Sequence, residues 1–160
     1  MSDQNQFLSA ALKAWKTNID RAGKFFSSLS DEQLLQEVAP GKNRLIYLFG
    51  HLTAVHDGML PLLGLGEKTR PDFDAAFVSN PDKSRSNLPS PQEVKESWKD
   101  VNAKLSAGFE KFSAAEWLQR HSAVSEEDFA KDPSRNRYAI LLSRTNHVAY
   151  HMGQLNLAPK

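Results

Sequence analysis

The chain has 160 residues, of which 40% are hydrophobic and 24% are charged, and these values are typical of one globular domain. Its net charge is +1, so the charge balance does not indicate binding to nucleic acid or to an anionic membrane surface. It contains no cysteine, which excludes disulfides, thiolate metal ligands and cysteine nucleophiles within the chain. The sequence shows neither a membrane-spanning apolar run nor a signal-peptide pattern, so we expect a single cytoplasmic domain over residues 1–160.

The first predicted helix covers residues 4–28, because apolar side chains recur there at steps of three and four. Its apolar stripe consists of Leu8, Ala11, Leu12, Trp15, Ile19, Ala22, Phe26 and Leu29. Ser30 and Gln33 have the spacing of a capping box, which predicts a short second element. Pro40 and Gly41 end that element.

The next long helix is predicted to begin near Lys42 or Asn43. Its apolar stripe consists of Leu45, Leu48, Leu52, Val55, Met59 and Leu62. His51 and His56 fall on opposite shoulders of that stripe. Pro61 has no N–H and clashes with the preceding turn, so we expect a kink or break there.

The third long helix has the clearest start signal, because Ser90 can cap it, Pro91 suits the first helical position and Glu93 completes a capping box. Its stripe consists of Val94, Trp98, Val101, Leu105, Phe109 and Phe112. Long connections precede and follow this helix, at about residues 66–90 and 113–136. Connections of such length commonly cross the end of a bundle or cover a site.

The last long helix is predicted over residues 136–157, with Leu141, Val148, Met152 and Leu155 in its stripe. Four long amphipathic helices and no strand pattern predict an all-α protein, a four-helix bundle. The two long connections favour a crossover order of the helices over a simple chain of hairpins.

Two histidines of the last helix, His147 and His151, stand four residues apart and therefore leave the same face about 40° from each other. This spacing is typical of a pair of metal ligands, and a histidine of the second long helix would be the third. The helical wheel does not choose between His51 and His56. In the alternative interpretation these histidines are partly buried residues hydrogen-bonded to carbonyl or carboxylate oxygens, and His121 is a solvated surface residue.

Two segments resemble the DinB/YfiT-like superfamily of metalloenzymes: Gly50-His51-Leu52, and residues 147–155, which read HVAYHMGQL. The resemblance covers nearly the whole chain. It implies a four-helix bundle with up-down-down-up topology and a metal site of three histidines. Transferred to this sequence, the ligands are His51, His147 and His151.

The implied cofactor is a divalent metal ion, namely zinc, nickel or iron, with zinc slightly favoured. Members of this superfamily with an assigned activity look like transferases of a low-molecular-weight thiol such as bacillithiol or mycothiol. The resemblance therefore implies a thiol cosubstrate and a small-molecule electrophile.

Members are often homodimers, for which Trp117 and the segment 73–77 offer apolar contact residues. The alternatives are a metal-dependent hydrolase and a non-catalytic, stress-linked binding protein.

Four further residues have candidate roles near this site, and Asp57 has none. Arg144 lies one turn before the histidine pair and is the best cation for an anionic substrate group, although it could equally be solvated. Gln154 could hold a histidine ring N–H, Tyr150 could pack beside the site, and Gly153 could allow another helix to approach. Asp57 falls opposite the apolar stripe, so we expect it to be solvated and we assign no general base.

Overall fold

A computed structural model describes residues 3–158 of the chain. Within that range the protein is all-α, and its only β-type pairing consists of two isolated bridges. The helices are α1 Asp3–Ser27, α2 Asp31–Leu34, α3 Leu45–Asp57, α4 Met59–Leu63, α5 Asp72–Phe77, α6 Pro91–Phe109, α7 Ala114–Trp117, α8 Glu126–Lys131 and α9 Arg137–Leu155. No helix in the described part of the chain is both long enough and apolar enough to cross a membrane.

The predicted long helices are confirmed as α1, α3, α6 and α9, with ends within a few residues of those expected. The break predicted at Pro61 is also confirmed, but it lies upstream at Gly58, between α3 and α4. A proline ring clashes with the carbonyl four residues before it, which here belongs to the last residue of α3. The helix is therefore interrupted before the proline, and α4 restarts after Gly58.

Both long connections contain short helices. The first carries α5, and the second carries α7 and α8. Side-chain capping explains where two of the three begin: Ser113 caps α7 in the predicted capping box with Glu116, and Ser125 accepts a hydrogen bond from the N–H of Asp128 at the start of α8.

The four long helices enclose one apolar core. α1 packs mainly against α9 and α6, and α3 packs against α6, α9 and α5. In the centre of the core, Phe26 of α1 stacks on Phe49 of α3 with ring centroids 4.0 Å apart. Trp98 of α6 completes this aromatic group from the third side.

Contacts at the helix ends show which ends are neighbours. Phe7 at the start of α1 shares a groove with Tyr138 at the start of α9. Leu29, just after α1, accepts a hydrogen bond from the side-chain amino group of Lys95 near the start of α6, at 3.0 Å. Leu65, just after α4, lies against Gly108 at the end of α6.

The expectation that Asp57 is solvated is wrong, because its side chain is fully buried. Its carboxylate accepts hydrogen bonds from the backbone N–H groups of Thr69 and Arg70 and from the Thr69 hydroxyl, all at 2.8–2.9 Å. The helical wheel predicted the wrong exposure for Asp57, because the first connection folds back over that side of α3. Asp57 therefore fixes the beginning of the connection that leads to α5.

The residues expected to offer exposed apolar contact are also buried. Trp117 is 1% exposed, and Phe73 and Phe77 are fully buried. The two connections pack their aromatic side chains into the core rather than presenting them to a partner.

Candidate metal centre

Three histidines from two long helices meet between α3 and α9. His51 comes from the middle of α3, and His147 and His151 come from successive turns of α9. The Nε2 atom of His147 lies 3.2 Å from Nε2 of His51 and 3.0 Å from Nε2 of His151. All three side chains are half-buried, and their ligand atoms lie within 4.8 Å of one another. The structure thus brings together the three residues that the resemblance selects.

The opposite ring nitrogens determine two of the three tautomers. Nδ1 of His51 lies 2.9 Å from the carbonyl oxygen of Phe77, which can only accept, so Nδ1 carries the proton. Nδ1 of His151 donates in the same way to the side-chain oxygen of Gln154 at 2.6 Å. Each of these rings therefore directs the Nε2 lone pair towards His147. Two lone pairs and a third nitrogen at such short range would be stabilised by a shared metal ion.

The spacing of these nitrogens fits a small divalent metal ion. Two nitrogens bound to tetrahedral zinc at about 2.0–2.1 Å are roughly 3.3 Å apart, close to the two distances observed. Three neutral imidazoles leave the fourth position of a tetrahedral ion open, which is typical of catalytic rather than structural zinc sites. The donor set also suits nickel and iron(II), so the three histidines could hold a divalent metal ion, and the donor set does not select which one.

The protein favours the neutral, metal-binding form of His147 and His151. Burial is the main cause that lowers the pKa of His147 to about 4, with smaller contributions from His151, His51 and Arg144. Burial likewise lowers the pKa of His151, although its hydrogen bond with Gln154 opposes this effect. Protons therefore compete weakly for these two ligands near neutral pH.

The position of Phe77 depends on a glycine of α3. A Cβ atom placed on Gly50 would lie 2.5 Å from carbon atoms of the Phe77 ring, so only glycine lets α5 pack this closely. The same contact places the Phe77 carbonyl over His51. Phe77 could not be identified from the sequence as part of the site, because any residue type supplies a backbone carbonyl.

His56, the other candidate third ligand, faces away from the cluster. It is fully buried between the rings of Trp15 and Trp98, and its Nδ1 lies 2.9 Å from the side-chain oxygen of Asn102. Burial lowers the pKa of His56 to about 3, an effect that the hydrogen bond with Asn102 only partly offsets. His56 is thus a neutral core residue on the α6 side of α3.

Arg144 lies one turn before His147 on the same face of α9. Its Nε atom is buried without a hydrogen-bond partner, and within residues 3–158 its guanidinium forms no ion pair. Burial of the side chain lowers the pKa of Arg144, and no nearby carboxylate opposes that shift. Arg144 therefore adds positive charge beside the histidine cluster.

The remaining candidate residues differ in whether they contact the histidine cluster. Gln154 contacts the cluster directly through His151. Tyr150 is 65% exposed, although its ring stands edge-on to His151 with centroids 5.2 Å apart. The expectation for Gly153 is wrong, because no atom lies within 4 Å of a Cβ placed there. His121 is half-buried rather than solvated, and burial lowers its pKa.

Residues 14–155 match the sequence model of the DinB superfamily. The match covers most of the chain, and the protein belongs to the DinB superfamily. A three-histidine cluster between α3 and α9 is a metal-binding arrangement that agrees with this membership.

A solved structure has the same fold. It is the crystal structure of a conserved protein from Enterococcus faecalis, with a TM-score of 0.62 and 13% sequence identity over 92% of this chain and 91% of that chain. At this identity the similarity shows the fold alone. No curated protein matches the sequence of this chain.

Proposed function

We propose that this protein is a divalent-metal-dependent enzyme that transfers a low-molecular-weight thiol to a small electrophile. The metal ligands in this proposal are His51, His147 and His151. The observation that carries the proposal is the convergence of three ring nitrogens at a site where no carboxylate of residues 3–158 contacts them. Membership of the DinB superfamily supports it further.

Each residue of the cluster has a defined task in this proposal. Phe77 and Gln154 accept the Nδ1 protons of His51 and His151, so both rings present unprotonated Nε2 atoms. His147 is kept neutral by burial. A divalent metal held by these nitrogens would lower the pKa of a bound thiol and so supply a thiolate at neutral pH. The chain has no cysteine, so the thiol would come from a cosubstrate.

The absence of carboxylates distinguishes this proposal from hydrolysis. Within residues 3–158, no carboxylate hydrogen-bonds to any of the three histidines, and none contributes to the pKa shifts of His147 or His151. Metal-dependent hydrolases commonly use such a group as a general base. Thiol transfer needs no such base once the thiol is deprotonated on the metal, so the site favours transfer.

Metal content tests the site. Chelator-treated protein would be incubated separately with zinc, nickel, iron(II) and cobalt, and bound metal would be measured by mass spectrometry. We expect about one ion per chain in wild-type protein and little in His147→Ala/His151→Ala, because two of three ligands are lost. His121→Ala is the matched control, since it removes a half-buried histidine outside the cluster. Equal metal content in wild type and double variant would contradict the proposed site.

Turnover tests the reaction. Metal-loaded protein would be assayed for loss of free thiol with bacillithiol, mycothiol and cysteine against a panel of alkyl halides and activated alkenes. Metal-dependent thiol loss is expected in wild type and not in the double variant. Release of product from ester, amide or phosphate substrates without thiol would favour a hydrolase. Bound metal without turnover on either panel would favour a non-catalytic binding protein.

We also infer that the long helices follow an up-down-down-up order. The shared groove at their starts supports a parallel arrangement of α1 and α9. The contact between the end of α1 and the start of α6 supports an antiparallel pair. The contacts Phe49–Trp98, His56–Asn102 and Leu65–Gly108 advance together along both helices and support a parallel pair of α3 and α6.

A further inference from the structure

Arg144 differs from every other half-buried arginine in residues 3–158. Each of the others has a partner within the protein: a carboxylate for Arg44 and Arg70, and a backbone carbonyl for Arg120 and Arg137. Arg144 has neither among the described residues, and its Nε, like that of Arg137, is buried without a hydrogen bond. Its terminal nitrogens have no partner in residues 3–158 either, but they are not among the buried unpaired atoms and so reach solvent. A guanidinium that has lost part of its hydration without gaining a partner is available to a ligand.

Arg144 lies on the side of α9 that meets α3 at the histidine cluster. On α9, half-buried side chains recur at Ile140, Arg144, His147, His151 and Gln154, which form one face of the helix. On α3 and its continuation, half-buried positions recur at His51, Val55, Gly58 and Leu62. The two faces meet where Nε2 of His51 lies 3.2 Å from Nε2 of His147.

The charges around the cluster would not be balanced once a metal is bound. Three neutral histidines would leave the full charge of a divalent ion in place, and Arg144 adds another positive charge about 4.5 Å further along the helix axis. No carboxylate of the described residues acts on the pKa of Arg144, His147 or His151. Two cationic points separated in this way fit a ligand that carries two anionic groups.

We propose that Arg144 binds a carboxylate of the substrate, so that the site takes a thiol or an electrophile that carries a carboxylate. Arg144 is then a residue that determines specificity, and it pairs with the carboxylate through its planar fork. The proposal rests on the proposed metal-dependent function. It adds the chemical class of the substrate and the residue that selects it.

Binding of simple thiols to cobalt-substituted protein tests the thiol source, because a thiolate bound to cobalt(II) gives a charge-transfer absorption band. The probes are mercaptoacetate and 3-mercaptopropionate, with 2-mercaptoethanol as the uncharged counterpart. At low ionic strength, wild-type protein is expected to bind at least one of the two carboxylated thiols about tenfold more tightly than 2-mercaptoethanol. Arg144→Gln should abolish this preference while the protein still binds 2-mercaptoethanol, and Arg144→Lys should retain part of the preference.

A second experiment tests whether the carboxylate belongs to the electrophile rather than to the thiol. With 2-mercaptoethanol as thiol, turnover of acrylate and acrylamide would be compared, each corrected for its uncatalysed rate. Arg21→Gln is the matched control, since it removes an exposed arginine of α1 and changes the net charge equally. Circular dichroism and thermal melting would verify that each variant is folded.

The outcomes separate the two proposals. A preference for the carboxylate in either experiment that Arg144→Gln removes and Arg21→Gln keeps supports the role of Arg144. Protein that binds cobalt and thiols but shows no such preference in either experiment overturns the role of Arg144 and leaves the metal site standing. Protein that binds no cobalt overturns the metal site and the role of Arg144 together.

Discussion

Hydrogen bonds of the ring nitrogens separate the histidines of this protein into ligand candidates and core residues. His51 and His151 donate Nδ1 protons to oxygen acceptors and direct Nε2 towards His147. His56 has a similar bond with Asn102, but among the described residues its buried Nε2 has no hydrogen-bond partner. The histidines differ in the partner of Nε2, which is another histidine in the cluster and is lacking for His56 among the described residues. That partner depends on which helix packs against the ring.

Gln154 gives the first prediction at this scale. Gln154→Leu removes the acceptor for Nδ1 of His151, so the ring loses its fixed orientation and its basicity falls. We expect the affinity for zinc to fall roughly 10- to 100-fold, as is typical when such an outer partner is lost. Competition with a chromophoric chelator would measure the affinity. Gln154→Glu keeps an oxygen acceptor and should retain or raise it, so equal affinities for all three proteins would exclude a role for Gln154.

His56 gives a prediction about pH. Its pKa is about 3 in the folded protein and about 6.5 in the unfolded chain, so below pH 6.5 the unfolded chain binds a proton that the folded protein does not. The contribution of His56 to stability is therefore complete above pH 6.5 and is lost as the pH falls towards 3. The free energy of unfolding should decrease by up to about 1.4 kcal/mol per pH unit from this group alone.

Urea denaturation of metal-free protein at pH 7, 6 and 5 would measure this effect. His56→Gln is the comparison, because glutamine can still donate to Asn102 but does not titrate. The variant should be less stable at pH 7 but lose less stability on acidification. Parallel pH dependence in the two proteins would show that His56 does not titrate as its burial requires.

At the scale of elements, the short helix α5 belongs to the metal centre although it supplies no side-chain ligand. Its last residue, Phe77, places its carbonyl on His51 and its ring against Gly50. Buried Asp57 holds the start of the same connection through the backbone of Thr69 and Arg70. The connection thus covers and orients the ligand of α3.

Gly50 and Gly153 provide a matched pair of substitutions on two long helices. Gly50→Ala places a methyl group 2.5 Å from the Phe77 ring, so α5 must shift, and we expect a loss of about 1–3 kcal/mol. Gly153→Ala meets no atom within 4 Å and should gain up to about 1 kcal/mol from helix propensity. Chemical denaturation would measure both. The same sign for the two changes would contradict the packing described.

Gly50→Ala should also weaken metal binding, because the shift of α5 moves the carbonyl that orients His51. Gly153→Ala should leave metal binding unchanged, since its side chain would face solvent. Chelator competition on the two variants would therefore separate a local packing effect from a general effect of alanine.

At the scale of the whole molecule, the three histidines join helices that are far apart in sequence. His51 and His147 are 96 residues apart, so an ion between them would connect α3 to the last helix of the chain. Ligands that bind only the folded state raise stability according to their free concentration. A metal ion at this position would therefore stabilise the entire bundle.

We expect zinc at about 100 times its dissociation constant to raise the free energy of unfolding by about 2.7 kcal/mol. Differential scanning calorimetry across a zinc titration would measure the accompanying rise in melting temperature. His147→Ala/His151→Ala should show no such rise, whereas His121→Ala should show the wild-type response. A similar rise in the double variant would place the stabilising ion elsewhere.

The four long helices could be predicted from the sequence, because helix formation and its caps depend on residues three and four positions apart. The capping boxes that begin at Ser90 and Ser113 are formed as their spacing predicts. The same local geometry places His147 and His151 on one face of α9. Residues 50–52 and 147–155 also carried the resemblance to the DinB superfamily, to which the chain belongs.

Only the tertiary structure decided which neighbours those faces meet. The helical wheel did not show whether His51 or His56 is the third candidate ligand. The structure distinguishes them, because α9 packs on the side of α3 that carries His51 and α6 packs on the side that carries His56. Asp57 was expected to be solvated, but the first connection folds over it. Gly50 lies at a close contact with another segment, and Gly153 does not. The periodicity of residues within one helix determines only which side chains share a face of that helix. Burial, the orientation of ring nitrogens and the unpaired charge of Arg144 depend on segments brought together from distant parts of the chain.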